Sequence, residues 1–200
     1  MNAKGNRKQQ ILEVLAFELE TKPGSRITTA SLARAVGVSE AALYRHFASK
    51  AQMFESLIEF SEESIFRLVN RILEEQSAID TQCFQITTVV LKFAELNPGI
   101  ARILAGEVLL GENERLRVRV AQIFARLETQ LSDSLRRAAA FSGSQKMRLE
   151  VPSIANLLVA IVSGRIAQFV RTDFRISPSV HWEDQWQMLA RSAFEVVPPT

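Results

Sequence analysis

The sequence predicts an all-α protein of about nine helices, and three observations lead to this fold class. Glycine and proline together account for 14 of the 200 residues, roughly 7% where average usage is about 12%. The stretches between these few chain breakers repeat apolar residues at the three- and four-residue spacing of amphipathic helices. Hydrophobic residues make up 47% of the chain and charged residues 23%, so the helices have enough apolar surface to form a packed core.

Composition also narrows the possible functions. Cys83 is the single cysteine, which excludes an internal disulfide and any multi-cysteine metal site. Two histidines leave little for a histidine metal centre, so we expect neither a metal nor a cofactor. The chain has no Ser/His/Asp set and no glycine-rich phosphate loop, so an enzyme is not expected. The longest apolar run, Leu157 to Val162, is far below the roughly 18 residues of a membrane span, and the polar start does not resemble a signal peptide. We therefore expect a cytoplasmic protein without membrane contact.

The predicted helices follow one another along the whole chain. Each is bounded by a glycine, a proline or a capping residue and has apolar residues along one face. We predict helices at residues 6–21, 29–36, 40–47, 51–75, 81–96, 98–109, 112–140, 151–174 and 181–197. Asn97 is expected to cap the sixth helix and Pro98 to lie in its first turn. Trp182 and Trp186 are expected to hold the last helix in place.

Residues 28–47 have the pattern of a helix-turn-helix motif. Thr28 and Ser39 are residue types that cap helix N-termini, because their hydroxyl groups accept hydrogen bonds from free amides of the first turn. Gly37 lies between the two short helices and allows the left-handed backbone that a tight turn requires. Ala33 is small where the two helices would cross. Two short helices joined by a glycine turn are typical of DNA-binding proteins.

The charge distribution suggests what this motif binds. Residues 1–50 carry eight basic and four acidic side chains, a net charge of +4, whereas the whole chain has a net charge of +2. A basic region on a nearly neutral protein favours a polyanion partner, although charge alone is equally compatible with a solvated surface. The helix-turn-helix pattern makes double-stranded DNA the better interpretation.

The start of the third predicted helix would read the DNA bases. Ser39, Glu40, Ala41 and Ala42 lie there, at the end of a recognition helix that meets base edges in the major groove. Most of these side chains are small, which allows the backbone to approach closely. Glu40 either accepts a hydrogen bond from a cytosine amine or stabilises the helix start.

Three further side chains are candidates for phosphate contacts. Tyr44 offers a hydroxyl group and His46 a ring N–H, with packing and a turn hydrogen bond as their structural alternatives. Ser49 and Gln52 have the spacing of a capping box at the start of the fourth helix. A second phosphate site would be formed by the free amides at that helix start together with Lys50. It is equally possible from the sequence that Lys50 is only a solvated surface charge.

The eighth predicted helix indicates a homodimer. Ile154, Leu157, Leu158 and Ile161 extend almost around it, whereas a helix on the surface of a monomer has a polar side. Gly164 is small enough to let two helices approach closely. A two-fold dimer would place two recognition helices about 34–36 Å apart on successive major grooves, so we expect a palindromic site.

Residues 27–58 resemble the TetR family of bacterial DNA-binding regulators, above all in Leu43-Tyr44-Arg45-His46-Phe47 followed by Lys50. The resemblance implies a three-helix DNA-binding head at residues 6–58 and a helical regulatory and dimerisation body at residues 59–200. It also implies a dimer formed by the last two long helices, which include Trp186. Phosphate contacts are implied at Thr28, Thr29, Tyr44, His46 and Lys50.

Further segments along the chain resemble one group within this family. They are residues 27–30, 36–47, 56–60, 97–99, 102–104 and 169–171. Members of the group bind specific chromosomal sites in the nucleoid as dimers and, when bound to DNA, antagonise assembly of the division protein FtsZ. The resemblance implies that Phe60 and Asn97 contact this partner. Three differences from the group matter here. Ala48 stands where the group has proline, and Leu68 and Leu96 stand where it has arginine. The two leucines remove basic surface that acidic FtsZ segments would contact.

A ligand-responsive transcriptional repressor remains the alternative function. Many TetR-like bodies hold a small-molecule effector, and the polar residues Asn156, Arg165, Gln168 and Arg171 either line such a pocket or face solvent. Aromatic residues of the body are expected in the core rather than against a ligand. They are Phe60, Phe66, Phe84 and Phe93. Cys83 is expected to be a buried, apolar-like residue.

Overall fold

The structure of this chain, a computed structural model, describes residues 3–22, 27–75, 78–109, 111–140 and 147–195. These ranges contain nine α-helices, a short 3-10 helix at Glu107–Leu109, and no strand beyond an isolated antiparallel bridge between Met147 and Phe194. The helices are α1 (Ala3–Thr21), α2 (Thr29–Val36), α3 (Glu40–Tyr44), α4 (Lys50–Glu74), α5 (Ile79–Leu96), α6 (Pro98–Leu104), α7 (Glu114–Ala140), α8 (Val151–Arg171) and α9 (Trp182–Ala193). The predicted all-α fold is confirmed.

Several local predictions were wrong. The helix predicted at 98–109 is divided into α6 and the 3-10 helix, because Gly106 has a left-handed backbone at φ 76°. The helices predicted to end at residues 174 and 197 end at Arg171 and Ala193.

Helix α3 ends at Tyr44, three residues earlier than predicted, because the N–H groups of His46 and Phe47 both donate to the Leu43 carbonyl and the chain turns there. Asn97 precedes α6, but its side chain does not cap that helix. Its amide instead donates to the Phe93 carbonyl at 2.8 Å, at the end of α5.

One apolar core extends through the head and the body, and α4 is continuous across residue 58. Phe66, Phe93 and Cys83 are buried in it, as predicted. Burial raises the pKa of the Cys83 thiol to about 12, so the thiol stays protonated and unreactive in the folded protein. The core prediction was wrong for Phe60, which lies on the outer side of α4 with 47% of its surface exposed.

Helices α1 and α6 cross at a glycine. A Cβ atom placed on Gly99 would lie 2.0 Å from the carbonyl oxygen of Ala16 and 3.2 Å from the backbone nitrogen of Glu20. Both neighbours are backbone atoms of α1, which cannot move aside as a flexible side chain can. The close approach of α6 to the head therefore depends on the absence of a side chain at residue 99.

A buried arginine completes this contact between α1 and α6. The side chain of Arg102 is 3% exposed, and its Nη1 atom donates to the carbonyl oxygens of Leu19 (2.7 Å) and Lys22 (3.2 Å). Its Nε and Nη2 atoms donate to the two carboxylate oxygens of Glu107 at 3.0 and 2.7 Å. Arg102 thus connects the C-terminal end of α1 to the 3-10 helix of the body. We call Gly99, Arg102, Glu107 and their α1 partners the junction.

Helix α8 lies at the centre of the body, against α5, α6 and α7. Among the described helices it is long and apolar enough, by length and composition only, to cross a membrane. Half of its most apolar stretch is buried among the other helices, as in the core helix of a globular protein.

We expect the G99A variant to lose about 2 kcal/mol or more of unfolding free energy, because the added methyl group would force α6 away from α1. Chemical denaturation measures this loss. The matched control is A121S, which also adds one heavy atom to a helix but at an exposed position of α7, and we expect it to change the unfolding free energy by about 0.5 kcal/mol or less. Equal stability of G99A and the parent protein would contradict the tight crossing.

Candidate nucleic-acid interface

The capping residues predicted from the sequence shape the helix-turn-helix motif. The Thr28 hydroxyl accepts a hydrogen bond from the Ser31 amide at 3.1 Å, and the Ser31 hydroxyl accepts one from the Thr28 amide at the same distance. Gly37 ends α2 with a left-handed backbone, at φ 77°. The Ser39 hydroxyl accepts from the Ala42 amide at 3.2 Å and begins α3. The orientation of α3 relative to α2 is therefore encoded within residues 28–42.

The start of α3 faces solvent. Ser39, Glu40 and Ala41 are exposed, and Ala42 is half-buried. The Glu40 carboxylate accepts a hydrogen bond from the Thr29 hydroxyl at 2.9 Å, so two residues predicted to contact DNA contact each other and tie α2 to α3. Sequence reasoning treated these two side chains separately and missed their hydrogen bond.

Tyr44 and His46 lie just beyond the start of α3. Tyr44 is 45% exposed, so its hydroxyl group is accessible to a phosphate. His46 is half-buried, and its Nδ1 atom is buried without a hydrogen-bond partner in the part of the chain that the structure describes.

Lys50 begins α4 and has a partner that the sequence did not indicate. The Ser49 hydroxyl caps the helix by accepting from the Gln52 amide at 3.2 Å, whereas the Gln52 side chain accepts from the Ala48 amide at 2.7 Å. The Lys50 ammonium lies 2.5 Å from a carboxylate oxygen of Glu112. Because 62 residues separate the two, no local pattern could have predicted this ion pair.

The residues predicted to form a dimer interface divide into two groups. Leu157 is 42% exposed, Gly164 is exposed and Ile161 is half-buried, so all three present surface on one side of α8. Ile154, Leu158 and Trp186 are instead at most 8% exposed within a single protomer. They belong to the core of the protomer, where the Trp186 ring packs 5.6 Å from that of Phe84, and have little surface left for a partner.

The residues predicted to contact a protein partner lie on α4 and at the end of α5. The exposed Phe60 ring is 6.3 Å from the Phe93 ring, which places it where α4 meets α5. Leu96 is 78% exposed and Leu68 is 38% exposed, and Asn97 is half-buried. This surface is apolar at its most exposed positions.

The body also contains a cleft of about 590 Å³ between the end of α8 and the 3-10 helix. Its wall includes the charged residues Arg102, Glu107, Arg171 and Asp173. Of the four polar residues predicted to line a pocket, Arg171 is the one found here. Of the other three, Asn156 and Arg165 make hydrogen bonds elsewhere. Arg165 donates to the carbonyls of Pro178 and Val180, and Asn156 to the Glu128 carboxylate.

Family models match both parts of the chain. Residues 11–57 match the model of bacterial regulatory proteins of the TetR family, and residues 79–193 match a tetracyclin repressor-like C-terminal domain of SlmA-like proteins. The nucleoid occlusion factor SlmA of Marinomonas sp. (strain MWYL1) is 51% identical over 191 residues, which cover 96% of each chain. The protein of the same name from Shewanella halifaxensis (strain HAW-EB4) is 51% identical over 190 residues, 95% of this chain and 96% of the relative.

Solved structures share the fold at lower sequence identity. The ketosteroid transcriptional regulator KstR2 of Mycobacterium tuberculosis has a TM-score of 0.74 at 15% identity, over 98% of this chain and 97% of that one. A TetR transcription regulator from Haloarcula marismortui ATCC 43049 has a TM-score of 0.77 at 14% identity, over 96% of this chain and all of that one.

The chain belongs to the TetR family of bacterial regulatory proteins. Within this family its likeness to SlmA proteins extends over nearly its whole length, which confirms both resemblances found in the sequence.

Proposed function

We propose that this protein is a homodimer that binds palindromic chromosomal sites and, when bound to DNA, antagonises FtsZ assembly over the nucleoid. Its place of action is the cytoplasm, at the nucleoid. The observation that carries the DNA-binding part is the solvent-facing start of α3, where small side chains leave the backbone open to base edges. The exposed Tyr44 and the capped start of α4 lie directly after it, where phosphate groups would flank a recognition helix.

Under this proposal, different residues have different roles. Ser39, Ala41 and Ala42 lie where base edges would be read, and Glu40 is held at the same helix start by Thr29. Thr28, Thr29, Tyr44, His46 and Lys50 are the phosphate contacts. The interface between protomers would use the exposed side of α8 at Leu157, Ile161 and Gly164 rather than the buried residues.

We expect the Y44F and K50A variants to bind every duplex more weakly and by a similar factor, because each removes a phosphate contact and not a base contact. K50A should also reduce the slope of log K against log salt by about 0.9, the effect of one phosphate contact. Fluorescence anisotropy with a selected duplex and a random duplex measures both quantities.

The matched control for this experiment is K92A on α5. The Lys92 side chain is 54% exposed, and the variant removes the same charge at a position outside the head. A changed order of preference among duplexes would show that Lys50 reads bases. Unchanged affinity in both head variants would contradict the proposed interface.

The surface around Phe60 supports the second part of the proposal. An exposed aromatic ring beside the end of α5 is a feature typical of protein interfaces, where aromatic residues supply much of the binding energy. Leu68 and Leu96 make this surface more apolar than that of the group it resembles. Arg67 and Arg71 are exposed about two and three turns further along the same helix, and they would supply basic side chains to an acidic FtsZ segment.

We expect F60A to bind DNA as the parent protein does and to lose most of its DNA-dependent effect on FtsZ. The measurement is sedimentation of FtsZ polymer with each protein, in the presence and absence of a selected duplex. V118A is the control, because Val118 is exposed to a similar extent, 48%, on α7. If the parent protein has no DNA-dependent effect on FtsZ polymer, the proposed partner is wrong.

A ligand-responsive repressor is the second candidate, and the cleft beside Arg171 is the observation that favours it. Four charged residues in its wall would suit a polar effector better than an apolar one. A protein that binds DNA without affecting FtsZ, and releases DNA when a small molecule is added, would have this function.

A further inference from the structure

The ion pair between Lys50 and Glu112 joins the DNA-binding head to the body. The two side chains are only 18% and 13% exposed, and their charged atoms are 2.5 Å apart. The ammonium also lies 5.3 Å from the centre of the Phe54 ring, one turn further along α4. A pair so shielded from water is screened by salt much less than an exposed pair, so the lysine charge is largely neutralised within the protein.

Glu112 contacts the ammonium group that a phosphate would contact. Lys50 is the first residue of α4, and a helix start together with a lysine is a binding site for anions. A carboxylate and a phosphate are both anions, and both would contact the same ammonium group. Each therefore weakens the binding of the other by repulsion and by occupying the same hydrogen-bond donors.

The segment that carries Glu112 also reaches the head at a second point. Glu107, five residues earlier, holds Arg102, which donates to the carbonyls at the end of α1. The Glu112 amide in turn donates to the Leu109 carbonyl at 3.1 Å, which fixes it to the end of the 3-10 helix. Glu112 thus contacts α4 directly, and Glu107 is linked to α1 through Arg102, so a movement of the 3-10 helix would change the environment of Lys50.

We propose that Glu112 is an intramolecular competitor of the DNA phosphate at Lys50, so that DNA binding and the position of Glu112 are coupled. This inference rests on the proposed phosphate contact of Lys50. When DNA binds, the ammonium exchanges the carboxylate for a phosphate oxygen and Glu112 is released to solvent. By linkage, a body conformation that draws Glu112 away from Lys50 strengthens DNA binding.

The test compares duplex affinity in the E112Q and E112D variants of the full-length protein. E112Q removes the charge, and E112D keeps the charge but shortens the side chain by one methylene group. We expect E112Q to bind DNA about three- to tenfold more tightly than the parent, the range of a partly buried ion pair, and E112D to have an affinity between those of the parent and E112Q. E114Q is the control, since Glu114 lies two residues further on, is 70% exposed and pairs with Arg117.

The same variants are then measured in the K50M background, where competition for the lysine is impossible. We expect E112Q to tighten DNA binding by K50M much less than it tightens binding by the parent, because only the repulsion between Glu112 and the phosphate is then relieved. If E112Q tightens binding equally with and without Lys50, its effect is general electrostatics and the inference is overturned. It is also overturned if parent and E112Q bind alike while K50M binds more weakly, a result that leaves the proposed function intact. If K50M and the parent bind DNA equally, the proposed phosphate contact itself is wrong, and the inference with it.

Discussion

The buried guanidinium of Arg102 is the interaction on which the arrangement of head and body depends. A buried charge is tolerated only when its hydrogen bonds are satisfied and an opposite charge lies nearby. Arg102 meets both conditions by binding Glu107 with two hydrogen bonds and the Leu19 and Lys22 carbonyls with the others. Those carbonyls lie at the C-terminal end of α1, where the helix leaves acceptors unpaired and a cation is favoured. The same arginine therefore completes α1 and positions the 3-10 helix.

The junction also explains how a small head is held firmly enough to bind DNA. Helices α2 and α3 are short and have few residues with which to form a core of their own. Helix α2 packs against α1 and helix α3 against α2, and α1 in turn is packed against α6 at Gly99. The solvent-facing start of α3 can therefore be built from small side chains that contribute little to stability, because the rigidity comes from elsewhere.

Local features were predictable from the sequence, and long-range polar contacts were not. The caps at Thr28 and Ser39 and the turn at Gly37 follow from chemistry within a few residues, and the structure reproduces them. The pairing of Lys50 with Glu112 and of Arg102 with the α1 carbonyls spans 62 and 83 residues, and no periodicity encodes such contacts. The assignment of Trp186 to an interface shows the same limit, because an apolar helix face does not reveal whether its own chain or a partner covers it.

The most direct test of the central role of Arg102 is the unfolding free energy of R102M. Methionine keeps much of the side-chain volume but leaves Glu107 and two α1 carbonyls without their donor. The expected loss is about 2–4 kcal/mol, compared with almost none for R171M, which removes an exposed arginine from the same cleft. An R102M protein as stable as the parent would show that the head and body are held together without this arginine.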